Sequence, residues 1–230
     1  MKDDEQSKYR ALCGQLNWIA TQSRPDISFD FCQLSTRLNS ATVGDFFYAK
    51  KVLRKVKLDE VDLKFIKLQP PMRLIGFCDA SYANLSCGGS QGGNIVFLAG
   101  SRGKMCPISW GSRKLRRVCR STIAAETMAV LDTIDVCVWL SFMINELLNQ
   151  KLEKTIIKTD SKSLQQIVNS TTGVEEKRLR VEIAAIRENI ERGNVQIDWV
   201  STKGQLADVF TKKGVDNKSL LYVLKKGTLD

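Results

Sequence analysis

Four acids in this chain have neighbours and spacing suited to metal-assisted chemistry. They are Asp79 in "GFCDAS", Glu126 in "AAETMA", Asp160 in "TDSKSLQQ" and Asp208 in "QLADVFTKK". Carboxylates gathered at one point repel one another, and burying them together is costly without a compensating cation. Oxygen-only ligands from aspartate and glutamate suit magnesium, with manganese as the alternative. Two such ions about 3.5–4 Å apart activate a water and stabilise the leaving oxygen in phosphodiester hydrolysis. That chemistry needs no histidine, and the 230-residue chain has none. The lack of histidine removes serine–histidine triads, histidine-ligated zinc and histidine acid–base catalysis together.

Each acid also has a plainer reading. Asp160 before "SKSLQQ" suits a helix cap, and Glu126 near a helix start favours the macrodipole. Asp79 suits the beginning of a turn, and Asp208 a solvated face. What separates the two readings is whether the intervening elements gather the four acids.

Three short strands, "RLIGFCDAS", "GGNIVFLAG" and "KMCPISWGS", are separated by glycine-rich turns and predict an antiparallel meander. A long helix follows from about Ser121 to Asn149. "KTIIKTD" is a fourth strand and "SKSLQQIVN" a short helix. "VEEKRLRVEIAAIRENIERG" sets Leu179, Ile183, Ile186 and Ile190 on one helical face and stops at Gly193. "NVQIDWVS" alternates Val195, Ile197 and Trp199 as a fifth strand, and "GQLADVFTKK" closes as a helix. This order predicts an α/β domain, a mixed sheet with helices packed on it. Asp79 and Asp160 then end the first and fourth strands, side by side if those strands are parallel neighbours. A helix crossing that edge brings Glu126 to the same point, with Asp208 on the final helix as a fourth member.

Ahead of the strands, residues 8–58 read as helical. "YRALCGQLNWIATQ" places Leu12, Leu16 and Ile19 on one face, and Pro25 breaks the pattern because it disfavours a helical Arg24. "ISFDFCQLSTRL" and "DFFYAKKVLRKVK" give two more amphipathic segments. The expected organisation is a helical segment over 1–60, a linker over 61–72 containing "QPP", and an α/β domain over 73–230.

The formal net charge of +10 favours polyanionic partners, chiefly nucleic acid. The seven cysteines, Cys13, Cys32, Cys78, Cys87, Cys106, Cys119 and Cys137, include no CxxC pair, which predicts reduced thiols in an intracellular compartment. No apolar stretch reads as a bilayer span, and the N-terminus lacks a secretory pattern, so no membrane partner is expected.

In order and spacing, "GFCDASYA", "PISWGSRK", "RSTIAAETMA", "TDSKSLQQ" and "QLADVFTKKG" resemble the ribonuclease H domain of copia-type retrotransposon polyproteins. "YRALCGQLNWIATQSRPDISFDFCQLS" and "AKKVLRKVK" look like the segment that joins the reverse transcriptase to that domain. The resemblance implies a ribonuclease H-like fold, a five-stranded mixed sheet flanked by helices behind a small helical subdomain. It implies endonucleolytic cleavage of the RNA strand of RNA/DNA hybrids, with Asp79, Glu126, Asp160 and Asp208 as the metal-binding acids. The polymerase part of a reverse transcriptase is an implied partner. Many ribonucleases H carry a loop histidine before the last aspartate, and here "VSTKGQLAD" offers Lys203 in its place. No YVDD-like pair occurs, so the chain is expected to be a C-terminal piece of a polyprotein. A catalytically silent nucleic-acid-binding remnant, or a scaffold docked on a reverse transcriptase, is the alternative.

Binding residues follow from charge and position. "SRKLRRVCRS" packs Arg113, Lys114, Arg116, Arg117 and Arg120 just before the Glu126 helix, either a phosphate track or a solvated basic turn. Ser81, Asn84 and Ser161 are placed to touch sugar hydroxyls, since telling RNA from DNA requires reading the 2′-OH. Trp110 and Trp199, both in strand patterns, are expected in the core and not as base-stacking platforms.

Overall fold

A computed structural model describes residues 1–85, 88–170 and 176–229. Cys87, Asp230 and the start of the segment expected from Val174 lie outside the described residues.

The chain opens with three helices, α1 (Asp3–Gln22), α2 (Ser28–Ser35) and α3 (Val43–Leu58). Helix α1 buries Tyr9, Cys13, Leu16 and Ala20, a three-and-four spacing that makes one face, with Leu12 and Ile19 half-buried on its flanks. The break falls where Pro25 requires it. Arg24 leaves the helical region at φ −125°, ψ 72°, and a 3₁₀ turn starts at Pro25. The Arg24 guanidinium forks onto Asp26 at 2.7 and 2.9 Å and donates to the carbonyls of Val56 and Asp59. That buried pair fastens the α1–α2 junction to the end of α3. Helix α3 begins with a reciprocal cap, Asp45 N–H donating to Thr42 Oγ1 and Thr42 N–H to Asp45 Oδ2.

The remaining chain builds β1 (Arg73–Ser81), β2 (Gln91–Ala99), β3 (Met105–Lys114), α4 (Thr122–Leu148), β4 (Glu153–Thr159), α5 (Lys162–Asn169), α6 (Lys177–Glu191), β5 (Val195–Trp199) and α7 (Lys218–Lys226). The sheet order is β3-β2-β1-β4-β5. The first three strands form the antiparallel meander, β4 runs parallel to β1, and β5 runs parallel to β4. This is the five-stranded mixed sheet with flanking helices that the motifs implied. Strands β1 and β4 are the parallel neighbours on which the meeting of Asp79 and Asp160 depended.

Both faces of the central strands are covered, which is why they read as nearly continuous apolar runs. Leu74, Cys78 and Val96 pack against α4 through Ala129, Val130, Ile134 and Cys137, with α5 and α6 completing that cluster. Phe77, Ile95 and Phe97 face the other way, against Leu206, Phe210, Leu220, Val223 and Leu224. Burial of each phenylalanine there contributes about 1.5–3 kcal/mol.

Several expectations need correction. "GQLADVFTKK" is not an α-helix but a 3₁₀ turn over Leu206–Phe210, and the closing helix α7 comes later. The turn lies directly on β2 at Gly93, where an added Cβ would stand 2.4 Å from Phe210 Cβ and 3.1 Å from the Phe210 carbonyl carbon. A Gly93→Ala substitution should therefore destabilise the fold by about 1–3 kcal/mol, because backbone must shift to admit the methyl. Urea melts followed by circular dichroism measure this, and an unchanged midpoint would show that the turn yields freely.

Trp199 is 41% exposed and not in the core, because β5 is an edge strand whose last residue overhangs its end. Trp110 does pack against the second cluster, and its indole N–H donates to the Ala20 carbonyl at 2.7 Å. Helix α4 is long and apolar enough to cross a bilayer by length and composition, contrary to the reading that no stretch was. Its first half is buried against the sheet, which accounts for its apolar character, while Trp139, Phe142 and Leu147 further along are exposed. The stretch expected as a linker has no regular element. Its backbone nevertheless bonds to the domain beyond it, Lys64 N–H to the Leu224 carbonyl and Ser101 N–H to the Gln69 carbonyl.

Candidate active site

Strand β1 carries Asp79 two residues before its end, paired with Gly93 of β2. The strand's period of two puts Asp79 on the same face as Phe77 and buries it to 1% exposure. Glu126 lies in the second turn of α4, whose start is capped by Ser121 Oγ accepting from Ala124 N–H. Asp160 follows β4 directly. The cap of α5 is Ser161, whose Oγ accepts from Leu164 N–H, so the Asp160 carboxylate is not spent on capping. Ligand oxygens of Asp79, Glu126 and Asp160 all lie within 4.8 Å of one another.

Asp208 stands beside this trio and not in it. Its Oδ1 accepts from Lys212 Nζ at 2.7 Å, and the same ammonium is 3.4 Å from Asp79 Oδ2. Thr211 Oγ1 also donates to Asp79 Oδ2. Asp160 Oδ2 accepts from Thr202 Oγ1 at 3.1 Å, and its carbonyl accepts from the Trp199 indole N–H. Lys162 sits over the Trp199 ring, 4.4 Å from its centroid. Gln205 Nε2 donates to the Cys78 carbonyl at 2.9 Å, pinning the 3₁₀ turn to β1 next to Asp79.

The electrostatics are those of crowded acids short of positive charge. Burial pushes the Asp79 carboxyl up to about 7, with Asp208 and Asp160 adding to the effect and Lys212 and Thr211 opposing it. Burial likewise pushes Glu126 up to about 9, reinforced by Asp79 and Asp160. One Glu126 oxygen, Oε2, is buried with no hydrogen-bond partner. For Lys212, burial alone would lower the ammonium's pKa, but Asp79 and Asp208 outweigh it and the value is raised. An orphaned carboxylate oxygen facing two further acids fits a divalent cation with oxygen ligands. Asp79, Glu126 and Asp160 are the residues that would hold it.

The basic run after β3 is not gathered at this point. Arg113 is paired with Asp132 of α4 at 2.9 Å and Arg117 with Glu182 of α6, while Lys114, Arg116 and Arg120 are exposed. Ser81 and Asn84 instead line a cavity of about 640 Å³ between the helical segment and the sheet, shared with Arg37, Tyr48, Lys212 and Lys213. Lys203 is exposed in the loop between Asp160's partner Thr202 and the 3₁₀ turn. The lysine that reaches the acids is Lys212, which the motif reading passed over. Its position four residues after Asp208 was the available signal.

No protein-family model matches the chain. Over 208 residues, 90% of the chain, it is 29% identical to the Retrovirus-related Pol polyprotein from transposon RE2 of Arabidopsis thaliana. Over 149 residues, 63% of the chain, it is 34% identical to the Truncated transposon Ty1-A Gag-Pol polyprotein of Saccharomyces cerevisiae. This chain is a homologue of retrotransposon Pol polyproteins. It spans only 14% of the RE2 polyprotein and 12% of the Ty1-A polyprotein. Among solved structures it is similar to LC11-RNase H1 in complex with an RNA/DNA hybrid. That similarity is at 15% identity and a TM-score of 0.47, covering 60% of this chain and 94% of the other. It is also similar to the foamy viral protease-reverse transcriptase in complex with an RNA/DNA hybrid. There the identity is 14% and the TM-score 0.43, covering 78% of this chain and 27% of that one.

Proposed function

We propose that this chain is the ribonuclease H part of a retrotransposon Pol polyprotein and hydrolyses the RNA strand of RNA/DNA hybrids. The observation that carries the reading is the meeting of Asp79, Glu126 and Asp160 within 4.8 Å, with a buried Glu126 oxygen left unpartnered. A fold does not retain such a cluster for stability, since its charges repel and lack solvent. Magnesium or manganese bound there, one ion or a pair, would activate water and neutralise charge on the leaving oxygen.

The chain's own residues supply placement. Strands β1 and β4 hold Asp79 and Asp160 on rigid backbone, and α4 presents Glu126 to them. Thr211 and Thr202 fix the rotamers of Asp79 and Asp160 through their hydroxyls. The cavity beside Ser81 and Asn84, with Arg37, Lys212 and Lys213, suits a phosphate backbone better than the arginines already engaged after β3. The polymerase part of a reverse transcriptase remains the partner we assign beyond the hybrid, in an intracellular setting.

The test is cleavage of a hybrid labelled on its RNA strand, with magnesium and with magnesium chelated. RNA cleavage that disappears on chelation is expected. Salt-sensitive binding of the hybrid with no cut under either condition would identify the silent remnant instead.

A further inference from the structure

Where the helical segment meets the sheet it leaves a continuous cleft. The cavity of about 640 Å³ beside Ser81 and Asn84 shares Phe29, Tyr48, Lys212 and Lys213 with a second cavity of about 250 Å³. The second runs on between α3, at Lys51, Val52 and Lys55, and the chain from Val209 to Asn217. Ser81 lies two residues past Asp79 on β1, so the cleft opens beside the acids and leads away from them. Its acids are all engaged within the chain: Asp45 by the Thr42 cap, Asp26 by Arg24 and Lys55, and Asp30 by the Tyr48 hydroxyl. Lys51 and Lys213 are exposed, and among the described residues neither makes an ion pair. Lys213 lies over the Tyr48 ring, 5.0 Å from its centroid. Gln33 lines the wider cavity, and its Nε2 is buried with no hydrogen-bond partner.

Spare cations, an aromatic ring and an unspent amide donor are the groups that hold a nucleic-acid strand. Charge tracks its phosphates, the ring stacks on a base, and the amide meets a base edge. Size decides the form of that strand. Pockets of roughly 300–1,000 Å³ enclose a drug-sized molecule, so this cleft takes about two or three nucleotides of one strand. A duplex, whose major groove alone is about 12 Å wide, does not fit. We propose that the cleft between the helical segment and the sheet binds unpaired nucleic acid, a single strand that continues past the hybrid from the acids. This rests on the nucleic-acid reading above and extends it. The duplex lies at the carboxylates, and one unpaired strand passes between Tyr48 and Lys213. The helical segment is then part of the substrate-binding surface.

Fluorescence anisotropy of a labelled oligothymidylate of about eight residues, with divalent metal chelated, tests this on the full chain without reference to cleavage. Tyr48→Ala should weaken binding of the strand about tenfold, the loss of one base–aromatic stack, and leave binding of a blunt duplex unchanged. Tyr48→Phe keeps the ring and should bind the strand as wild type does. Lys213→Gln should reduce the slope of log affinity against log salt by about 0.7, one phosphate contact on a single strand. Equal strand binding by wild type and a folded Tyr48→Ala would overturn the proposal. So would a loss that the duplex shares equally. Where Tyr48→Ala does not fold, an unchanged salt slope for Lys213→Gln overturns it alone. Failure of the ribonuclease reading looks different: the hybrid stays uncut with magnesium, while the strand still binds in the cleft and Tyr48→Ala still weakens it.

Discussion

Asp79→Asn should abolish magnesium-dependent cleavage of the hybrid's RNA strand, by about 10³-fold or more, while the protein remains folded. The size follows from what a carboxylate ligand contributes. Charge stabilisation by a bound ion amounts to several kcal/mol, and each 1.36 kcal/mol is a decade in rate. The fold should survive because the amide replaces an anion that burial already disfavours. Thr211 Oγ1 can still donate to the remaining carbonyl oxygen, and the strand pairing with Gly93 is backbone only. Melting in the absence of metal should be unchanged or higher than wild type at pH 8, the reverse of an ordinary core substitution. Equal cleavage by variant and wild type would sink the assignment of Asp79.

Without metal, stability should fall as pH rises above about 4, and the fall should continue from about 6 to about 9. Asp79 and Glu126 hold their protons in the folded chain up to about 7 and about 9, whereas unfolded carboxyls release theirs near 4. Between those limits the folded state binds more protons than the unfolded one, so unfolding becomes easier as pH rises. The stabilisation is complete below about pH 4, is lost progressively above it, and the loss levels off near pH 7 for Asp79 and near pH 9 for Glu126. For a chain of this length each kcal/mol moves the melting temperature by about 2–4 °C, so a loss of about 10 °C across that range is expected. The buried thiols of Cys78 and Cys137, pushed up by burial, act in the same direction only at the alkaline end. Glu126→Gln should therefore remove most of the fall between about pH 7 and about pH 9. Adding Mn²⁺ at pH 8.5 should recover the melting temperature of wild type but not of that variant. A melting temperature that rises with pH in metal-free buffer would refute the cause assigned to these shifts.

Apolar runs and glycine-rich turns made the sheet legible, because β1 and β2 are covered on both faces, while β4 alternates buried Thr155, Ile157 and Thr159 with half-buried residues. Asp79 and Asp160 stood out as charges at the ends of such runs. Glu126 was legible only through the topology that brought α4 across the β1–β4 edge. The final segment was misread because a 3₁₀ turn and an α-helix share the same short apolar spacing. Gly93, more than 100 residues before the turn in sequence, is what lets that turn lie against the sheet. Reading "ADVFTK" as a motif drew attention to its acid and away from Lys212, though an acid and a lysine four apart pair in either geometry. Trp199 keeps the β5 alternation but ends an edge strand, where its ring is left uncovered. Val195 and Ile197 obey it, and the indole lies over the Asp160 end of the sheet. The α7 helix has its own signal in the Leu220, Val223 and Leu224 spacing.

Trp110 gives its indole hydrogen to the end of α1, and Gln91 reaches Cys32 of α2 from the strand that faces Asp79. Those two bonds tie the helical segment to β3 and to β2, whose Gly93 pairs with Asp79. A fragment cut at residue 72 would therefore leave the Trp110 indole N–H unpaired and bare one wall of the cavity beside Ser81 and Asn84. Recombinant work on this chain is best served by keeping its first sixty residues.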